Sequence, residues 1–156
     1  MSGKYDIETF LATLIATVKS NLSAKIDEIN SEKDDGICLK AIDDEDYYSQ
    51  TNDQIWNKNQ FIYYTIADLE TNTNGGSTAI TISVNIEIVF DNTNKTDTLE
   101  KALRYSRCLR EVVQSNFKEG KHANLKISEL LPGNLVSNDG ADFKIGGVVV
   151  QSTIVG

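Results

Sequence analysis

The chain is poor in the residues that most often carry chemistry. It has one histidine, one proline, two cysteines and no long apolar run. A catalytic role for His122 needs a partner group, and none is evident near it in the sequence. Beside Gly120 and Lys121, just past a predicted helix end, it reads as a solvated residue near the helix dipole. Cys38 and Cys108 lie far apart and form neither a CxxC pair nor a metal-ligand spacing. Two free, partly buried thiols in a reducing compartment are expected. No P-loop, G-x-G-x-x-G, H-E-x-x-H or G-x-S-x-G motif occurs. No apolar stretch approaches the roughly 18 residues of a membrane span, and the opening Met1–Glu8 holds no apolar core of a secretory signal. No enzyme activity, cofactor, metal or membrane association is expected.

Acid is plentiful instead. The net charge is −8 over 156 residues, which disfavours coating nucleic acid. Residues 1–53 hold 12 acids against 5 bases, whereas residues 54–156 are nearly balanced. Asp34 and Asp35, with the run Asp43, Asp44, Glu45 and Asp46, carry much of the excess. The run lacks the alternating acids and central glycine of an EF-hand loop. It reads as a solvated loop, a docking surface or an opportunistic cation site.

The most structured signal spans Phe61–Phe117. From Ile80 the even positions are Ile80, Ile82, Val84, Ile86, Ile88 and Phe90, with mostly polar residues between them. That is the period of a strand with one buried face. Phe61–Leu69 is apolar on both parities, which predicts a strand covered on both faces. Asn72–Ser77 is turn chemistry, so the two strands form a hairpin.

Around this hairpin, three- and four-residue apolar spacing predicts a helix over 6–30, ended near Gly36. A short strand is expected over Ile37–Ile42, then a long polar loop from Asp43 to Asp53, with Gln54–Trp56 leading into the hairpin. Asp97 and Glu100 have capping-box spacing before a second helix that runs to about Phe117. Its apolar stripe is Leu99, Ala102, Leu103, Leu109, Val113 and Phe117. Cys108 lies about 100° from that stripe, Lys101 and Arg104 lie opposite it, and Arg107 lies on its flank. Asn124–Leu131 is a strand or a helical turn, and Pro132–Gly133 is a turn. Asp142–Val155 is a final strand with an expected bulge at Gly146–Gly147. The fold class is α+β, a single domain over 1–156. Its mostly antiparallel sheet has a long hairpin and packs against two helices.

Two surface groups are candidate contacts. Lys101, Arg104 and Arg107 form a wetted basic helix face, or meet the acidic loop of a neighbouring copy. Tyr47, Tyr48, Trp56, Phe61, Tyr63 and Tyr64 crowd half of the aromatics into 18 positions, as core or as a partner surface.

The order of elements resembles the tail terminator, or tail completion, proteins of long-tailed bacteriophages. Phe61–Leu69, Thr78–Phe90 with Asp91–Asn94, Thr98–Phe117 and Leu125–Val155 carry the resemblance. It implies a structural virion protein, assembled in the host cytoplasm, that forms a homohexameric ring. The ring caps the tail tube and joins it to the head connector or stopper protein, and DNA passes through without specific binding. A head–tail adaptor or tail tube subunit shares these features. A different class, a small acidic inhibitor or immunity-type protein, fits the acidic first third. In a ring, some of Asp34, Asp35, Asp43, Asp44, Glu45 and Asp46 would face the bore or dock on the basic helix face next door.

Overall fold

A computed structural model describes residues 6–49, 59–92, 96–117, 122–136 and 140–155. Helix α1 spans Ile7–Lys33. Asp6 starts it by accepting a hydrogen bond from the Thr9 amide at 2.9 Å. Phe10, Leu14, Val18, Leu22, Ile26 and Ile29 form its buried stripe. Asp34 ends it in the left-handed conformation, φ 42°.

The predicted strand over Ile37–Ile42 does not form. Side chains satisfy its backbone instead of a ladder. The Asn30 amide brackets Leu39, donating to its carbonyl at 3.0 Å and accepting from its N–H at 2.8 Å. The Tyr105 hydroxyl does the same for Lys40, at 2.7 and 3.0 Å. Leu39 and Ile42 still bury their side chains in the core. A 3₁₀ turn at Asp44–Asp46 leads to strand β1, Tyr47–Tyr48. Part of the expected loop, Asp44–Tyr48, is therefore regular structure. Gln54–Trp56 lies outside the described residues.

Strands β2, Gln60–Asn74, and β3, Ser77–Asp91, form the hairpin. The turn is only Gly75–Gly76, both at positive φ, tighter than the expected Asn72–Ser77. Helix α2 spans Thr98–Asn116, followed by β4, His122–Glu129, β5, Gly133–Val136, and β6, Asp142–Val155. The sheet order is β1-β2-β3-β6-β4, with β5 also on β6. Only the short β1–β2 pair is parallel. The fold is α+β, and Asn124–Leu131 is mainly strand.

The even positions of β3 from Ile82 to Phe90 are buried, with Ile80 half-buried. Val148, Val150 and Ile154 of β6, Ile62 and Tyr64 of β2 and both helices complete this core. The opposite face is not uniformly wet. Phe61, Val89 and Phe143 form a second, smaller cluster there.

Three expectations about α2 and β6 fail for identifiable reasons. Asp97 does not cap α2, because its φ of 60° departs from the extended conformation a capping side chain needs. The apolar stripe is rotated: Leu99 and Leu103 are exposed, while Tyr105, Ser106, Cys108 and Val112 are buried. The helix is packed against the sheet and α1 together, so it needs a broader buried face than a single stripe. No bulge occurs at Gly146–Gly147, where the β3–β6 register runs unbroken. These glycines permit close approach instead. A Cβ on Gly146 would collide with the Ala102 carbonyl of α2, and one on Gly147 with the Ile86 carbonyl. Ser106 seals the contact, accepting from the Gly147 amide at 2.9 Å and donating to the Ala102 carbonyl at 3.1 Å.

Candidate functional site

The basic face of α2 and the acids of the first third do meet, but within one chain. Arg104 is bidentate to Asp35, with one contact at 3.1 Å, and also donates to the Ile37 carbonyl at 2.9 Å. Arg107 forks onto Glu32, with one contact at 2.9 Å, and also pairs with Glu111 on its own helix. Glu111 takes a further contact from Lys25 of α1. The Arg104 guanidinium holds the Asp35 carboxyl down to about 2. The Arg107 hydrogen bond lowers Glu32 in the same way. Planar guanidinium–carboxylate pairs of this kind favour geometry as much as energy. Here they lock the end of α1 and the chain after it onto α2. Lys101 is half-buried on the same helix.

Asp43, Glu45 and Asp46 form a separate acidic group. Their carboxylate oxygens all lie within 4.8 Å of one another, with Asp46 buried and the other two exposed. They line an open depression of about 210 Å³ with Lys40, Ile42, Asn59 and Gln60. Asp44 is exposed beside them, starting the 3₁₀ turn. Clustered surface carboxylates are common without an ion, and this group has no EF-hand geometry.

The predicted aromatic group divides. Tyr48 meets Phe61 edge to face at 6.2 Å, and Phe61 meets Phe143 at 6.4 Å, all on the sheet face away from the helices. Tyr63 lies beside Phe61 and donates to Glu87 at 3.0 Å. Tyr47 lies under Lys19 of α1, whose ammonium is 5.6 Å from the ring centroid. Tyr64 is in the main core. Trp56 lies outside the described residues.

Of the thiols, Cys38 is exposed and Cys108 is fully buried. Burial pushes the Cys108 thiol up to about 12, which keeps it protonated and unreactive at neutral pH. His122 opens β4, opposite Ile154.

The feature that sequence reading missed is the outer half of the hairpin. β2 is covered on both faces only at Phe61–Tyr64. From Thr65 to Thr73 every residue is exposed, including Ile66 at 41% and Leu69 at 48%. Among the described residues, the outer edge of this segment pairs with no strand, because β1 reaches only Ile62 and Tyr63. The signal was present: beyond Ala67, polar residues take both parities, which a covered strand does not tolerate. Within the described residues, no helix is long and apolar enough to cross a membrane. Comparison with known proteins finds no matching family model and no match among curated proteins.

Proposed function

We propose that the chain is a ring-forming structural subunit of a long-tailed bacteriophage tail. In this reading it is a tail terminator that caps the tube and joins it to the head connector. The observation that carries the proposal is the outer half of β2, exposed from Thr65 to Thr73 and, among the described residues, with no strand on its outer edge. A subunit that only had to fold would gain little from about nine exposed strand residues ending in a Gly-Gly tip. A subunit that must join neighbours needs such an exposed edge. The order of elements that resembles tail terminators supports the same reading, and a head–tail adaptor or tube subunit is its nearest variant.

In the ring, partners are other copies, the tube protein and the connector, while DNA passes without specific binding. Exposed Asp43, Asp44 and Glu45 suit a bore wall that repels phosphate within about 8–10 Å at physiological salt. Asp35 is less suited to docking next door, since Arg104 of its own chain already holds it.

Native mass spectrometry and electron microscopy test the reading. A closed ring of about six copies that arrests growing tail tubes supports it. A monomer at all concentrations overturns it. That outcome would favour a second reading, a small acidic binding module, for which the convergence of Asp43, Glu45 and Asp46 is the supporting observation.

A further inference from the structure

We infer that the open edge of β2 takes the β4 edge of a second copy, so that the sheets of neighbouring subunits join head to tail. The inference rests on the ring reading above and specifies its interface. Beyond the two-residue β1, which covers only Ile62 and Tyr63, β2 and β4 lie at the two edges of the sheet among the described residues, with β3 and β6 between them. Each successive pair from β2 to β4 is antiparallel, so β4 runs opposite to β2. Translating one copy beside another therefore sets β4 against β2 as an antiparallel pair. The open segment of β2, Thr65–Thr73, is long enough to take all eight residues of β4.

The two faces of this joint match independently. Residues opposite each other in a ladder share a face. Ile66 pairs with Val84 and Leu69 with Ile82, so both point to the helix side. On β4, Ile127 pairs with Val150, and Leu125 and Ile127 are half-buried against the main core, on that same side. Joined edges thus place Ile66 and Leu69 beside Leu125 and Ile127. Asp68 and Glu70 pair with Ser83 and Thr81, which puts them on the far side. Lys126 pairs with Gln151, which in turn aligns with Ser83 on β3, so it is on the far side too. The one acid of β4, Glu129, is already neutralised by Arg110 at 2.7 Å. Apolar meets apolar on one face, and acid meets base on the other.

The same charges forbid the wrong pairing. Two β2 edges would set Asp68 and Glu70 against their own copies, and edge charges are a known guard against such contacts. A β2–β4 joint is heterologous. It repeats around an axis and closes when the rotation fits, which a self-complementary edge cannot do. The register break at Ala67 in β2 and the irregularity between Ala123 and Lys126 in β4 bend both edges, supplying curvature for closure.

Charge reversal and cross-linking test the joint. Glu70→Lys alone and Lys126→Glu alone should each raise the concentration for half-assembly by about three- to tenfold, with Tm unchanged. The double variant should restore it, because every joint would again hold one acid and one base. In a Cys38→Ser background, Thr65→Cys with Ser128→Cys should cross-link between copies through a short bismaleimide. Within one copy the two sites are three strand spacings apart, about 14 Å, too far for that reagent. Rings that ignore both reversals and give no cross-link overturn the edge joint but leave the ring reading standing. A protein that never assembles overturns both.

Discussion

The two halves of the β2–β3 hairpin share a ladder and a turn, yet they differ in what holds them. In the inner half, Phe61, Ile62 and Tyr64 face Ile86, Ile88 and Val89, and all six are essentially inaccessible. In the outer half, Ile66 and Leu69 keep nearly half their surface in water. β3 remains supported along both halves, because β6 pairs with it from Asp91 to Ala79. Only β2 leaves the core. The lesson is that one strand of a hairpin can be retained for folding while its partner is freed for contact with something else.

Substitutions on the two halves should separate sharply. Ile86→Ala removes a fully buried side chain at the sheet centre and should cost about 2–5 kcal/mol, read by chemical denaturation. Gly146→Ala should follow at about 1–3 kcal/mol, since the Ala102 backbone of α2 has no side-chain freedom with which to yield. Leu69→Ala should stay within about 0.5 kcal/mol in the unassembled subunit. If Leu69→Ala costs as much as Ile86→Ala, the outer half belongs to the core and the contrast collapses.

The smallest effect concerns the acid–base clamp between α1 and α2. Asp35 has a folded pKa near 2, below its ordinary 3.8. Its contribution is therefore complete above about pH 4 and is lost as the pH falls towards 2. Asp35→Asn should flatten the decline of Tm over that window, with a small loss of Tm at pH 7 that closes as the pH falls towards 2. Salt should shrink the difference, because the pair is at the surface. An identical acid-side slope in both proteins would show that Arg104 gains nothing from Asp35.

The sequence made the even face of β3 legible because a period of two over eleven residues leaves little choice of register. The α1 stripe was legible for the matching reason at helical spacing. What failed was local and depended on long-range partners. Ile37–Ile42 has strand composition, but Asn30 and Tyr105 take its backbone bonds, and neither is a neighbour in sequence. Leu99 and Leu103 looked like core, but the α2 face is set by where Gly146 lets the helix touch the sheet. Arg104 and Arg107 were recognised, and Asp35 was among the acids expected to reach them from a neighbouring copy. That the contact lies within one chain, and that Glu32 joins it, was visible only once α1 lay beside α2. The contact surface was the least legible. The polar residues on both parities beyond Ala67 marked the loss of cover on the faces of β2, but its edge is set by where β1 stops, and Tyr47–Tyr48 carries no sign of that.

Hydrogen exchange measured as a function of protein concentration tests the division of the hairpin most directly. At concentrations where the chain assembles, the amides of 65–73 and of 122–129 should slow together. Those of Ile86–Phe90 should be equally protected at every concentration, because β2 and β6 already flank them. Assembly without added protection on either edge would contradict the claim that the outer half of the hairpin exists to join copies.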